Sequence, residues 1–103
     1  MMTPRFSFHP DALLEYGEAA DYYLREASQD IAERFSSTIE SAIAAIVAAP
    51  MRWRIVETPE IRRYVVRRFP FVIYYLLLES GIGVVAIAHK HRRPGYWKRR
   101  KFE

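Results

Sequence analysis

The stretch that decides the fold reads Phe71-Val72-Ile73-Tyr74-Tyr75-Leu76-Leu77-Leu78. A short, almost wholly apolar run of this kind is typical of a central strand that is buried on both faces. Arg68-Phe69-Pro70 separates it tightly from a β-branched and aromatic stretch at 62–68, and a turn at 79–83 separates it from another at 84–89. Connections this short predict that the three strands pair as successive antiparallel hairpins.

Upstream of these strands, the sequence predicts a short strand and two helices. Phe6-Ser7-Phe8 alternates as a strand does, and Pro10 suits the first turn of a helix. Ser28 is a plausible N-cap for the second helix, which Pro50 ends. Apolar residues at helical spacing predict the buried face of the first helix: Leu13, Tyr16, Ala20, Tyr23 and Leu24. Those of the second helix are Ile31, Phe35, Ile39, Ala42, Ile43 and Ile46.

The predicted order is β-α-α-β-β-β in a single domain that spans residues 1–103. Because few residues join the helices, they should form an antiparallel hairpin. The fold class is therefore α+β, with the helical hairpin packed on a mostly antiparallel four-stranded sheet. Residues 51–60 are interpreted as a linker, and the first strand could join either edge of the sheet.

Composition narrows the class of protein. Half of the 103 residues are hydrophobic, so the chain can bury a core, and there is no cysteine. Disulfides and thiolate metal sites are thereby excluded, and a reducing compartment fits best. The N-terminus has no long apolar stretch, and the apolar run at 69–78 is shorter than the roughly 20 residues that a membrane helix needs. We expect a cytoplasmic protein without membrane contact.

The charge is unevenly distributed along the chain. Residues 1–50 carry three Lys/Arg against eight Asp/Glu, whereas residues 51–103 carry thirteen against four. A basic half of this kind suggests a surface directed at an anionic partner. The alternative is ordinary solubility charge.

The basic residues fall in two clusters, at 62–68 and at 90–101, and aromatic rings lie within the second. Hairpin pairing should bring both clusters to one end or face of the sheet. Guanidinium groups bind phosphate in bidentate fashion and rings stack on bases, so we expect a nucleic-acid or target contact. The alternative is a solvated tail in which Trp97 folds back onto the core. The residues predicted to bind phosphate or the target are Arg62, Arg63, Arg67, Arg68, Trp97, Lys98 and Arg99.

The segment after the last strand also contains the parts of an acid–base site. RNA cleavage by its own 2′-OH needs a base, an acid and cations for the developing charge. The catalytic candidates are His89, His91, Arg92, Arg93 and Tyr96. Tyr96 would serve only if its pKa were lowered, as neighbouring arginines would do. Two histidines without cysteine or a nearby carboxylate make a poor metal site, so no metal and no cofactor are expected.

Nearly the whole chain resembles the RelE/ParE superfamily of toxin–antitoxin toxins, and its motif order is similar to the ParE-like, plasmid-stabilisation branch. The resemblance rests on pieces whose order and spacing match together. They are Tyr22-Tyr23, Phe35-x-x-x-Ile39, Pro50-x-x-Trp53, Ile61-Arg62-Arg63, Arg68-Phe69-Pro70-Phe71-x-Ile73-Tyr74-Tyr75 and Ala86-x-Ala88-His89-x-x-Arg92-Arg93-Pro94-x-Tyr96-Trp97.

The resemblance implies a toxin that inhibits growth and is neutralised by a small antitoxin encoded beside it. ParE-like members poison DNA gyrase, whereas RelE-like members cut mRNA on the ribosome. Val72 stands where RelE-like nucleases have an arginine entering the third strand, which favours the gyrase target. The alternatives are a ribosome-dependent endoribonuclease and a non-toxic nucleic-acid-binding relative, so whether the protein is an enzyme stays open. A homodimer and a heterotetramer with the antitoxin are both compatible with the sequence.

Overall fold

A computed structural model describes residues 6–58 and 60–102 of the chain. Two helices and five strands make up this described part, which confirms the predicted α+β class. The elements are β1 (Phe6–Phe8), α1 (Pro10–Glu26), α2 (Gln29–Ala48), β2 (Ile55–Glu57), β3 (Ile61–Val65), β4 (Phe71–Leu78) and β5 (Gly81–His89).

Side-chain caps define where the two helices begin. His9 caps α1 because its Nδ1 accepts a hydrogen bond from the backbone N–H of Asp11 at 3.0 Å. Ser28 caps α2 as predicted, since its Oγ accepts from the N–H of Ile31 at 3.0 Å. Only two residues, Ala27 and Ser28, lie between the helices, which therefore pack side by side as a hairpin.

The sheet has five strands in the order β1-β5-β4-β3-β2, so the predicted number of four is wrong. The additional strand is β2, which lies in the segment that was interpreted as a linker. It is a three-residue edge strand with an irregular register against β3, too short to show alternation in the sequence. β1 pairs with β5 in parallel and the other neighbours are antiparallel, including both predicted hairpins.

Two strand boundaries also differ from the prediction. β3 ends at Val65, before the predicted Arg68, because Arg67 and Arg68 belong to the turn and Arg68 has a φ of 73°. β5 begins at Gly81, within the predicted turn, since Gly81–Gly83 already pair with β4. The register slips between Tyr74 and Tyr75, which leaves Val85 as an extra residue in β5.

The helices cover one face of the sheet and form the larger core with it. Phe35, Ile39 and Ile46 of α2 are fully buried against alternate residues of the central strands, among them Ile73 and Tyr75. In α1 the residues that contact this core are Ala12, Tyr16, Ala19, Ala20 and Tyr23. Leu13 and Leu24, predicted to be buried, are 54% and 52% exposed.

The opposite face carries a smaller apolar cluster. The bulge at Val85 turns both Val85 and Ala86 towards this side, where they meet Ile61 and Trp97. Since side chains on a strand alternate between faces, Tyr74 and Leu76 of β4 also lie here. β5 is therefore covered on both faces. Across residues 6–58 and 60–102, no helix is both long and apolar enough to cross a bilayer.

Candidate functional site

The C-terminal segment, residues 90–102, folds back on the sheet through a succession of turns. The N–H of Arg92 donates to the carbonyl of His89 at 3.0 Å, and bonds of the same span follow along the segment. Gly95 has a φ of 76°, a conformation that most side chains disfavour. The turns carry the segment across the face that the helices leave uncovered.

Trp97 anchors this segment on the sheet. Its ring is 4% exposed and lies 4.6 Å from that of Tyr74, centroid to centroid, in the same cluster as Val85 and Ala86. Its Nε1 has no hydrogen-bond partner among the described residues. The ring is therefore not available to stack on a base, and its position matches the alternative in which Trp97 folds back onto the core.

A carboxylate of α1 holds a second part of the segment. The Tyr96 hydroxyl donates to Oε2 of Glu15 at 2.7 Å. Arg100 donates to both Glu15 oxygens, from Nη2 at 2.8 Å and from Nη1 at 3.0 Å. The side chains of Glu15 and Arg100 are only 12% and 14% exposed. A bidentate pair with so little solvent is a strong interaction, so it fixes the segment to the helix.

The same pair completes the edge of β5. β1 pairs with β5 only as far as Val84. Beyond that point, the N–H of Ile87 donates to Glu15 Oε1 at 3.0 Å, and the carbonyl of Val85 accepts from Arg100 Nη1 at 3.0 Å. Exposed edge groups invite pairing with another chain. Glu15 and Arg100 therefore take the place of a longer first strand.

This environment overturns the expectation that the pKa of Tyr96 is lowered. Burial raises the pKa of its hydroxyl above the ordinary 10.0, and the hydrogen bond to Glu15 and the negative charge of Glu15 raise it further. Arg100 and Arg92 act in the opposite direction without prevailing. At neutral pH the hydroxyl keeps its proton and donates it in the hydrogen bond to Glu15, so it is poorly suited to act as a base.

Arg92 lies directly over the ring of Tyr96. Its guanidinium carbon is 3.8 Å from the ring centroid, and the residue is exposed. Stacking on the ring face is a cation–π contact that restricts the guanidinium group without using its N–H donors.

Two turns bring five cations to the same end of the sheet. The N–H of Lys90 donates to the carbonyl of Pro70 at 2.8 Å, which joins the turn after β5 to the turn before β4. We call this surface the basic end, and it comprises Arg67, Arg68, Lys90, Arg92 and Arg93, all exposed. The predicted meeting of the two basic clusters thus occurs for these residues.

Arg62 does not belong to that surface. It is 8% exposed, and its Nη1 donates to the carbonyls of Met51 at 3.2 Å and Trp53 at 2.6 Å. Its Nη2 is 3.6 Å from Glu60. Arg62 holds the chain that leaves α2, and its contacts leave little of it for phosphate or a target.

Two of the other predicted contact residues, Arg63 and Lys98, occupy the face that the helices leave uncovered. Arg63 is half-buried and lines a hollow beside Tyr74 and Lys98. The Nζ of Lys98 is 3.5 Å from Glu57 of β2. Arg63 and Lys98 are therefore separate from the basic end. Arg99 is exposed.

His89 and His91 lie side by side where β5 ends. Their ring centroids are 5.1 Å apart, and Nδ1 of His89 accepts from the N–H of His91 at 3.1 Å. His89 also meets the ring of Phe71 at its edge, at 5.4 Å. Among the described residues, no group of three or more histidine, cysteine or acidic side chains is placed to hold a metal.

Val72 occupies an apolar position. It is 5% exposed and pairs with Val65 of β3 and Ala88 of β5. An arginine here would enter a buried apolar environment, so the part that the resemblance assigns to RNA-cleaving members is missing.

Sequence reasoning missed the two residues on which this arrangement depends. In the sequence, Glu15 is one of several acidic residues in the predicted first helix, and Arg100 is one of many basic residues near the C-terminus. They are 85 positions apart, and nothing in the local pattern relates them. The one available signal is that Glu15 follows the apolar residue Leu14 in the predicted helix, and this signal is too weak to identify a partner.

Comparison with known proteins finds one matching family and a similar fold. The model of one family, described as the ParE toxin of the type II toxin–antitoxin system parDE, matches residues 6–94. A search among curated proteins finds no match.

A solved structure of the chromosomal ParDE TA system from P. aeruginosa is similar in fold. The TM-score is 0.72 at 17% sequence identity, and the similarity covers 82% of this chain and 94% of that chain. The shared fold includes the helical hairpin and sheet that position Glu15 and the C-terminal segment.

Proposed function

The chain belongs to the family of ParE toxins of type II toxin–antitoxin systems, and we propose that it acts by binding DNA gyrase and not by cutting RNA. The family match covers most of the chain, including α1, the whole sheet and the first turn of the C-terminal segment. Growth inhibition would then follow from a poisoned topoisomerase.

The observation that carries the choice of target is the bonding of Tyr96. Its hydroxyl is bound to Glu15 at 2.7 Å and its pKa is raised, so it supplies no base near Arg92 and Arg93. Val72 also argues against RNA cleavage, because it places an apolar residue, and not an arginine, in the strand beside the catalytic candidates. A toxin that acts by binding gyrase needs neither a catalytic base nor this arginine.

The experiment that tests the proposal compares two targets with the same purified protein. We expect inhibition of gyrase supercoiling and intact mRNA in a translation extract. Tyr96→Phe should still inhibit gyrase, because the ring remains and only its hydrogen bond to Glu15 is lost. Supercoiling that stays unaffected at high excess of folded toxin would refute the gyrase proposal.

The alternative is a ribosome-dependent endoribonuclease, and the pairing of His89 with His91 beside the basic end is what favours it. It predicts cleaved mRNA in the extract, abolished by Arg93→Ala combined with Tyr96→Phe. Cleavage that survives this double change would exclude both residues from the chemistry.

We further propose that an antitoxin covers the outer face of the helical hairpin. Leu13, Leu14 and Leu24 of α1 are more than half exposed, which is unusual for leucines on one helix. Acidic residues line the groove between the helices, including Asp21 and Glu33. A segment that fits this surface is amphipathic, with apolar anchors and basic flanks.

Co-expression with the product of the neighbouring gene tests this surface. Leu14→Arg should lower the affinity of the complex by at least tenfold, since one desolvated anchor contributes about 1.4 kcal/mol or more. Met51→Arg is the control, because Met51 is 68% exposed and follows α2, outside the helical hairpin. Equal affinities for the two variants would place the antitoxin elsewhere, and the mass of the complex would give its stoichiometry.

A further inference from the structure

We propose that Arg92 is a pre-oriented phosphate-binding residue for a nucleic-acid backbone, and that Tyr96 is the positioning residue which holds it. This inference goes beyond gyrase binding and does not depend on it. It assigns Tyr96 a role through its ring and not through its hydroxyl proton.

Arg92 is held close to the ring of Tyr96. With its guanidinium carbon 3.8 Å from the ring centroid, the group is confined near the ring face. Arg92 forms no ion pair with a carboxylate of residues 6–58 or 60–102. An arginine that is already oriented loses less entropy when it binds an oxyanion in bidentate fashion.

Glu15 holds the ring of Tyr96 in place. Tyr96 could not orient Arg92 if its ring moved freely. Its hydroxyl is fixed at 2.7 Å by Glu15, and Glu15 is fixed by the bidentate contact with Arg100 and by the N–H of Ile87. A chain of contacts thus leads from the core side of α1 and β5 to the exposed guanidinium group.

The charges around Arg92 indicate the kind of ligand that it binds. Arg92 is one of five exposed cations on two joined turns, and none of the five pairs with a carboxylate in the described part of the chain. A run of positive charge matches the repeated phosphates of a nucleic-acid strand better than the isolated carboxylate of a protein surface. Arg92 would contact one phosphate in bidentate fashion, and its neighbours would add unspecific attraction.

Fluorescence anisotropy of the full chain with labelled duplex DNA and with single-stranded RNA of equal length tests the proposal over a range of salt. Arg92→Ala should weaken binding about tenfold at low salt and reduce the salt slope by about 1. Arg92→Lys should weaken it by about threefold although the charge stays, because lysine binds phosphate as a point charge without the planar fork. Arg25→Ala, an equal loss of charge on α1, should change binding by less than about twofold.

Two substitutions of Tyr96 test the roles of its ring and its hydroxyl separately. Tyr96→Leu should match the loss seen with Arg92→Lys, and Tyr96→Leu combined with Arg92→Ala should bind no worse than Arg92→Ala alone. Tyr96→Phe keeps the ring but loses its bond to Glu15, so its affinity should lie between those of the wild type and Tyr96→Leu. In NMR spectra the Arg92 Nε–H resonance should be shifted by the ring current in the wild type and in Tyr96→Phe, and not in Tyr96→Leu.

Three outcomes would overturn the inference. The first is a double variant whose fold loss of affinity equals the product of the two single losses. The second is equal binding by Arg92→Ala and Arg25→Ala, and the third is no binding of either nucleic acid at low salt. The two labelled ligands distinguish DNA from RNA as the source of the phosphate. If Tyr96→Leu does not fold, Arg92→Lys and the NMR shift carry the test. Because gyrase is absent from the assay, failure here leaves the gyrase proposal intact, and the reverse also holds.

Discussion

The two faces of the sheet are covered in different ways. On the helix-covered face, buried apolar side chains such as Phe35 and Ile39 meet alternate residues of β4 and β5. On the other face, a small cluster around Trp97 is joined to the rest of the molecule by the charged contacts of Glu15 and Arg100. Apolar packing supports the first face, whereas the second depends on a few directional bonds.

This difference also separates the core from the proposed contact residues Arg92 and Tyr96. The helix-covered face holds the fold together, and Arg67 and Arg68 of the basic end lie beside α2. The C-terminal segment carries Arg92 and Tyr96, so the residues proposed to contact phosphate lie on a segment that the Trp97 cluster and the bonds to Glu15 hold in place. Such a segment can be released by single substitutions that leave the core intact.

Phe35→Ala should have the largest effect on stability. Phe35 is fully buried between Tyr23, Phe69 and Phe71, so the change leaves a cavity and should lower the free energy of unfolding by about 3–5 kcal/mol. Urea denaturation followed by circular dichroism measures it. Leu24→Ala is the control and should stay within about 0.5 kcal/mol. Similar losses for both would mean that Leu24 is buried after all.

Glu15→Gln should affect the second face specifically. The amide keeps the shape of the carboxylate but loses its charge, which leaves Arg100 poorly compensated, and we expect a loss of about 2–3 kcal/mol. Hydrogen exchange should accelerate at the N–H of Ile87, which donates to Glu15. Glu18→Gln, one turn further on the exposed side of α1, is the control. Unchanged protection of Ile87 would show that the edge of β5 does not need the pair.

Tyr96→Phe should cost less, about 1.5 kcal/mol at neutral pH, because one hydrogen bond to a charged group is lost. The effect should depend on pH. The pKa of Tyr96 is raised in the folded state above the 10.0 of the unfolded chain, so its contribution is complete below pH 10 and disappears as the pH rises through the folded pKa.

The stability difference between wild type and Tyr96→Phe should therefore be constant below about pH 9 and become smaller above pH 10. Denaturant unfolding at a series of pH values measures it. Tyr22→Phe is the control because Tyr22 is 54% exposed. A difference that grew with pH would mean that the folded state favours the ionised hydroxyl.

The contrast between the faces also explains what the sequence could predict. The helical hairpin, its Ser28 cap and the three paired strands follow from local patterns, and all of them are confirmed. The burial of Leu13 and Leu24 was predicted wrongly, because the apolar stripe at helical spacing continues around α1 and periodicity alone does not say which edge faces the core.

The site was predictable only in part. The cations of the basic end could be identified because hairpin pairing brings their turns together. The burial of Arg62 and Trp97 and the raised pKa of Tyr96 depend on contacts with Trp53, Tyr74 and Glu15. These contacts connect distant positions, and single-sequence periodicity contains no information about them.

The smallest expected effect is a gain. Gly17 lies in the middle of α1, and a Cβ added there would meet nothing within 4 Å. Gly17→Ala should therefore raise the free energy of unfolding by about 0.5–1 kcal/mol, because alanine reduces the freedom of the unfolded chain and favours the helix. Urea denaturation measures the gain, which should appear without any change in the hydrogen exchange of Ile87.

Gly83→Ala is the matched comparison on the second face. A Cβ there would lie 2.9 Å from both Leu78 Cδ1 and Phe102 Cζ, so these two side chains must shift and stability should fall slightly. The same substitution thus has opposite signs on the open side of α1 and on the face that the segment covers. A loss of stability in Gly17→Ala would show that the outer side of α1 is packed, and would count against the antitoxin surface proposed for it.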